Sequence, residues 1–553
     1  MQKKILIEKQ NFILAVENHK KSNLENAESI YKKIIRSNPN HIESIFLLGS
    51  LSVQMKNYKQ AVHYLNKTIK IQPENSNAHH NLGVTYFELK EFKKAMFCSE
   101  NAIKINPNHI EALNNIGNIY QELREFNKAK NIYQRIIQIN PNHTKSLNSL
   151  GNIFKEIGNF KSAVAFYKKT IQIKPEHAKA YYNLGLLFKI LGNFKEAEIA
   201  YKNSLKYDSN NLIAFYDLSG LNKKILNLNF KNKIIKIIDN KSSSKKNISY
   251  GNFLLSKLEL KKKNYKEEFN LLLKAHSLYF ESEQKKFKKA NNYWLNELPK
   301  SNGLNVLNNY KINNEKKIKP IFIVGVPRCG STLIEKIIAS GSKLIPIGEE
   351  TGILSLVIGK KIYKKQLSNL NIDILQKQIL EKYEQKKLIQ EKNNYIFTDK
   401  SLDNFFYISL IKKIFPDSKI INCKRNILHS IMSILKTNLR EVSWAHKLDD
   451  IFKYFDIYLK KINYFKKNFP GFIYELELER FINNPEAESK KLMNFCNLPW
   501  SIKCLEFYKR KDLTSQTASN VQIRKPINKK KSGEYLPYKK FFKKYEKKYD
   551  WFV

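Results

Sequence analysis

PIFIVGVPRCGSTLIEKIIASG, residues 320–341, is the stretch on which the fold of the C-terminal half turns. Ile321, Phe322, Ile323 and Val324 form a short apolar run, rich in β-branched side chains, that reads as a buried parallel strand. Gly325 to Ser331 reads as a turn, and Thr332 onward as a helix. A strand, a glycine-containing loop and a helix N-terminus aim backbone N–H groups and the positive dipole end at one place. That place suits an anion.

Downstream, the text supplies what such a site would need. SKIINCKRNILHSIMS (418–433) reads as a strand followed by a helix, with Arg425 and Ser433 eight residues apart. An Arg fork at a strand end and a hydroxyl two turns into the next helix can converge on one phosphate. In FTDKSLDNFFYISLIKKIFPDS (397–418), Lys400 closes a further predicted strand. IGEETG (347–352) offers Glu350 as a carboxylate, and TASNVQIRKPIN (517–528) offers Ser519 near the chain end.

Upstream, the first 220 residues repeat. Gly recurs at 49, 83, 117, 151 and 185, Pro at 39, 73, 107, 141 and 175, and Ala at 27, 61, 95, 129, 163 and 197, always 34 apart. In each unit the Gly, without a Cβ, lets the next helix pack closely, and a small Ala marks the crossing point of the second helix. Pro then stops that helix. Asn81, Asn115 and Asn183, with Ser149 in the fourth unit, sit two positions before the Gly. One more, divergent helix pair is expected over 252–280, and flexible connections over 241–247 and 301–317.

Composition sets the bounds. The 553 residues allow two to four domains, and 42% hydrophobic with 12% aromatic residues excludes a disordered chain. The net charge of +48 favours an anionic cosubstrate. The lysines are spread rather than clustered, alongside abundant Asn and Ile, as AT-rich codon usage would produce, so charge alone does not mark a nucleic-acid surface. Cys98, Cys329, Cys423, Cys496 and Cys504 form no CxxC and no zinc spacing, which fits a reducing compartment. The N-terminus reads as an amphipathic helix rather than a signal peptide, and no run of about 18 apolar residues appears. A cytoplasmic location is expected.

The loop GVPRCGST (325–332) nearly matches the phosphate loop of nucleotide triphosphatases, but Ser331 stands where that loop has Lys, and Arg328 supplies the cation. In this form it resembles the 5′-phosphosulfate loop of sulfotransferases, especially tyrosylprotein sulfotransferases and bacterial proteins that join them to tetratricopeptide repeats. The repeats over residues 8–211 resemble the tetratricopeptide repeat, so the resemblance covers nearly the whole chain. It implies an all-α tetratricopeptide-repeat superhelix (1–220), a helical connector (221–316) and an α/β P-loop-like sulfotransferase domain with a parallel sheet (317–553).

The resemblance also implies roles. The cosubstrate would be 3′-phosphoadenosine 5′-phosphosulfate, with no metal. Glu350 would be the general base; Arg328, Lys400 and Ser519 would act on the bridging phosphate oxygen. Residues Arg328, Cys329, Gly330, Ser331 and Thr332 would hold the 5′-phosphate, and Arg425 with Ser433 the 3′-phosphate. Ser519, Gln522, Lys525 and Pro526 belong to the segment that closes over the nucleotide. Cys329 reads as a small filler. Three positions depart from the family: Leu478 replaces a Tyr, Glu534 replaces a basic residue close to Lys529, Lys530 and Lys531, and Gly352 replaces the Arg after GEET.

Three function classes follow. The first is a sulfotransferase acting on a hydroxyl, with a protein or peptide in the repeat groove and Asn81, Asn115 and Asn183 as a ladder of contacts. A saccharide or small molecule is the other possible acceptor. The second is a repeat scaffold without turnover, and the third a nucleic-acid binder resting on charge alone.

Overall fold

The computed structural model describes residues 2–301, 318–363, 372–389, 395–510, 512–515, 517, 519–527 and 533–552. The expected connection at 301–317 lies, apart from Ser301, outside these residues, as do Lys529, Lys530 and Lys531. Two compact units divide the chain, Met1–Leu187 and Phe188–Val553.

The first unit is all helix. Ile42–Gln54 pairs with Tyr58–Ile71, Ser76–Glu88 with Phe92–Ile105, Ile110–Glu122 with Phe126–Ile139, and Thr144–Glu156 with Phe160–Ile173. Gly49, Gly83, Gly117 and Gly151 each stand against the residue 16 positions later: a Cβ on Gly151 would lie 2.5 Å from the Tyr167 ring, and one on Gly117 2.7 Å from Tyr133. Gly151→Ala should therefore destabilise the repeats by about 1–3 kcal/mol, as overpacking does. Gly220→Ala, with nothing within 4 Å of its Cβ, should be neutral or slightly stabilising. The midpoints of urea unfolding compare the two variants.

Two further 34-residue registers appear in the backbone. Ser22, Lys56, Lys90 and Arg124 have φ near +60°, and Gly158 and Gly192 follow at the same spacing. These are the left-handed positions that end the first helix of each pair. The repeat histidines cap helices: the Nδ1 atoms of His41, His109, His143 and His177 accept backbone N–H groups of Ser44, Ala112, Ser146 and Ala180.

The second unit holds the sheet: β1 (Lys319–Gly325), β2 (Ile396–Asp399), β3 (Lys419–Lys424) and β4 (Ile473–Glu477), all parallel, in the order β2-β1-β3-β4. The β1 run is buried on both faces, since Ile321 to Val324 are at most 1% exposed. The chain leaves β1 for one neighbour and later returns to the other side of it. A crevice therefore opens beyond the C-terminal ends of β1 and β3, where ligands bind in open parallel sheets.

Helices ahead of the sheet pack against it within this unit. Lys245–Lys261 and Tyr265–Ser282 form the expected pair. KSSSKKN (241–247) is not a flexible connection: Ser244 caps the helix from Lys245, accepting from Asn247 N, and Asn240 Oδ1 accepts from Ser242. His276 Nε2 donates to Leu435 O at 2.9 Å, so its Nδ1 accepts from His446 Nδ1 at 3.0 Å. The His446 ring stacks on Tyr279 and Phe287.

Burial lowers the pKa of His276 to about 4 and that of His446 to about 2, the latter also through His276. Below about pH 6.5 the unfolded imidazoles take up protons that the folded ones refuse. Stability should thus fall as pH drops from 6.5 toward 4, on the order of 3 kcal/mol for His276 alone. Melting temperature against pH measures it, and the slope should shrink in His446→Phe.

Candidate active site

The loop after β1 carries Arg328 with its backbone in the left-handed region, φ 72°, and Gly330 follows at φ 95°. A Cβ on Gly330 would meet the Leu478 side chain at 2.7 Å, so Leu478 packs closely on the loop. Cys329 is fully buried, its sulfur close against Gly325, as a filler would be. Gly330 then opens the helix Ser331–Ala339, whose first N–H groups have no partner within the helix. Ser331 and Thr332 are buried there.

Arg328 joins three segments that sequence alone keeps far apart. Its Nε donates to Ser433 Oγ and its NH1 to Ser519 Oγ, both at 3.0 Å. Its carbonyl accepts from Arg425 NH1 at 3.2 Å. Burial lowers the pKa of both guanidinium groups, and at Arg328 the charge of Arg425 adds to it. Two half-buried cations side by side, bonded to hydroxyls and a carbonyl, make a donor set that suits phosphate.

Ser433 thus bonds Arg328 rather than Arg425. Arg425 NH2 donates to His429 Nε2 at 2.6 Å, which leaves that imidazole neutral with its proton on Nδ1. Sequence reading missed His429; its place in the first turn of the helix that follows Arg425 was the available signal. Beside Arg425 a cavity of about 370 Å³ opens, with Phe455, Tyr458, Trp551 and Phe552 in its walls. Glu534 is exposed, 3.8 Å from His429. Gln522 and Lys525 are exposed and stand outside the Arg328 group.

A second group lies beyond β2. Residues 346–350 run alongside it, with Lys400 N donating to Gly348 O at 2.9 Å and Glu350 N to Lys400 O at 3.3 Å. This register brings Lys400 Nζ to 2.6 Å from Glu350 Oε1. Lys400 is 1% exposed and Glu350 51%, with Glu350 at φ 51°. Both Arg328 and Glu350 are therefore non-glycine residues held in a costly backbone region, which is common at functional sites. Burial pulls the Lys400 ammonium down, but Glu350, Glu335 and Glu349 outweigh it and hold the pKa above the usual lysine value. Gly352 also has a positive φ, 59°, with open space around it.

Beneath the site, unsuspected from sequence, Glu335 and Lys336 are fully buried, 3.6 Å apart. Burial raises Glu335 to about 7, against the pull of Lys336 and Lys400. Lys336 also approaches Glu349 at 3.9 Å, and Ser515 donates to Glu349 at 2.8 Å. Thr517 meets Thr332 at 3.4 Å, so the segment around Ser519 is fastened to both groups.

In the repeats, Asn81 Nδ2 donates to Ser50, Asn115 Nδ2 to Ser99 and Asn183 Nδ2 to Asn148. Asn115 is buried; Asn81, Ser149 and Asn183 are half-buried. Among the described residues no helix is long and apolar enough to cross a membrane.

Comparison with known proteins assigns a domain and the repeats. Residues 320–501 match the profile of the sulfotransferase family. Residues 110–143, 151–192 and 178–211 match tetratricopeptide-repeat profiles, and 20–96 match that of anaphase-promoting complex, cyclosome, subunit 3. An uncharacterized protein of Aquifex aeolicus (strain VF5) is 29% identical over 310 residues, 52% of this chain and 40% of that protein. The match therefore spans less than half the relative's length. Among solved structures, YrrB, a TPR protein with an unusual peptide-binding site, is 18% identical, with 34% of this chain and 96% of its own covered and a TM-score of 0.28. PilF of Pseudomonas aeruginosa is 15% identical, with 39% and 97% covered and a TM-score of 0.34. The chain carries a sulfotransferase-family domain, residues 320–501, with tetratricopeptide repeats ahead of it.

Proposed function

We propose that the protein moves a sulfuryl group from 3′-phosphoadenosine 5′-phosphosulfate to a hydroxyl on a protein or peptide, tyrosine-like in kind, brought by the repeats. One observation carries this reading: Arg328 holds Ser433 and Ser519 on one guanidinium beside Arg425, in the crevice between β1 and β3. The donor set fits a doubly phosphorylated nucleotide, and the aromatic-walled cavity beside Arg425 supports a base in that direction.

When bound, the cosubstrate supplies the sulfuryl group, and its bridging phosphate oxygen keeps the electron pair. Arg328, Lys400 and Ser519 hold positive charge and hydrogen bonds where that oxygen gains charge. Backbone N–H groups from Cys329 to Thr332 cradle the 5′-phosphate, and Arg425, with Ser433 beside it, takes the 3′-phosphate. Lys525, exposed near Ser519, would follow the closing segment onto the nucleotide. Glu350 faces solvent and accepts the proton of the incoming hydroxyl; its pairing with Lys400 fixes the carboxylate's direction. Asn81, Asn115 and Asn183 would bind peptide backbone once their present partners release them. The buried free thiols support a reducing compartment, the cytoplasm.

Incubating the full chain with radiosulfate-labelled cosubstrate and tyrosine peptides tests the reading. Label is expected on peptide hydroxyls. Bound cosubstrate with no label on any peptide would reject peptide transfer.

A further inference from the structure

Glu335 belongs to the helix Ser331–Ala339, whose first turn faces the phosphate site, yet its carboxylate meets β2. There Thr398 Oγ1 donates to Glu335 Oε1 at 2.9 Å and accepts from Gly348 N at 3.1 Å. Thr398 has a single hydroxyl proton, so the direction of this chain is fixed. The Gly348 amide gives to Thr398, and Thr398 gives to Glu335. Gly348 stands two residues before Glu350, on a segment pressed against β2; a Cβ there would collide with Thr398 O. One threonine thus ties the segment that carries Glu350 to the helix of the phosphate loop.

The other carboxylate oxygen faces charge. Glu335 Oε2 lies 3.6 Å from Lys336 Nζ, both side chains are fully buried, and neither atom has a hydrogen-bond partner among the described residues. A buried carboxylate so placed is held in its charged form only weakly. Burial raises its pKa to about 7, with Lys336 and Lys400 opposing, Glu349 adding and the Thr398 hydrogen bond opposing. Those groups face it from its own helix, from β2 and its end, and from the segment beside β2. Lys400 is drawn in turn by Glu350 from the solvent side and by Glu335 from the interior.

We propose that Glu335 is a positioning residue for sulfuryl transfer: it holds the Glu350 segment through Thr398 and, when ionised, steadies Lys400 as that lysine turns from Glu350 to the bridging oxygen. That role rests on the sulfotransferase reading above. An ionised Glu335 keeps a second carboxylate near the ammonium after it leaves Glu350. Protonation weakens that counter-charge, so Lys400 stays clamped on Glu350 and the base stays engaged. Transfer therefore quickens as pH rises through the Glu335 ionisation.

Single-turnover transfer at saturating cosubstrate, to tyrosine peptides and to a simple phenol, is followed against pH for the full-length protein, Glu335→Gln, Thr398→Val and Thr398→Ser. Calorimetry with 3′-phosphoadenosine 5′-phosphate checks each nucleotide site, and melting temperature checks folding. The wild-type rate should rise about tenfold between about pH 6 and about pH 8. Glu335→Gln should be slower at the upper end, on the order of 10- to 100-fold, and lose this rise. Thr398→Val should lower the rate and move the rise to higher pH, because the lost hydrogen bond favoured the ionised carboxylate. Thr398→Ser keeps the hydroxyl and should restore both. Nucleotide affinity should be unchanged throughout. A rise that persists in Glu335→Gln, or a Thr398→Val profile that matches the wild type, overturns the role of Glu335. Should Glu335→Gln not fold, the shift in Thr398→Val and its reversal in Thr398→Ser decide. A wild type that binds the nucleotide but transfers to neither acceptor removes the step that Glu335 would serve. Failure to bind the nucleotide at all would instead strike the underlying sulfotransferase reading.

Discussion

Glu350→Gln should lower kcat by about 10²- to 10⁴-fold, the range for loss of a positioned general base. The amide keeps the shape of the side chain and its place 2.6 Å from Lys400, but it cannot take a proton. Nucleotide affinity should be unchanged, because the Arg328 group is built from other segments. Single-turnover transfer at saturating cosubstrate separates the two effects. A variant that keeps more than about half of the wild-type rate would show that the proton leaves by another route.

Arg328→Ala should be at least as damaging, with a loss of about 10²–10³ in kcat together with weaker nucleotide binding. A single guanidinium here ties together the loop after β1, the helix Ile427–Leu435 and the segment around Ser519. Removing it frees both serines and takes away the cation nearest the loop. Arg328→Lys keeps the charge without the fork, so it should restore binding more than rate. Steady-state kinetics beside nucleotide titration distinguishes these outcomes. Equal recovery of both by Lys would mean that charge alone matters at this position.

These groups were legible in the sequence to different depths. The repeat announced itself because three residue types share one period, and each has a packing or stop role that the helices bear out at Gly151, Ala163 and Pro175. The parallel sheet was legible because β1 reads as an unbroken apolar run ahead of a glycine loop. Side-chain partnership was not. Arg425 and Ser433 share a local spacing that invites pairing, whereas Arg328 reaches Ser433 across 105 residues and Ser519 across 191. Long-range contacts of that kind leave no periodic trace.

The buried pair Glu335 and Lys336 carried no signal in the sequence, since neighbouring opposite charges usually face water. The histidine caps were hidden for another reason: Ser, Thr, Asp and Asn are the usual capping residues, so a His before each helix carried no signal. KSSSKKN was read by composition as a linker, although Ser244 stands three residues before Asn247 in a capping position. Polarity served there to start a helix.

The most direct measurement is calorimetric titration of the full-length protein with 3′-phosphoadenosine 5′-phosphate and, in parallel, with ATP, repeated on Arg425→Ala. Binding of the 3′-phosphorylated nucleotide in preference to ATP, lost in the variant by at least about tenfold as expected for one charged hydrogen-bond pair, is the anticipated result. Equal binding of ATP, or no binding of either nucleotide, would contradict a sulfotransferase site at Arg328 and Arg425.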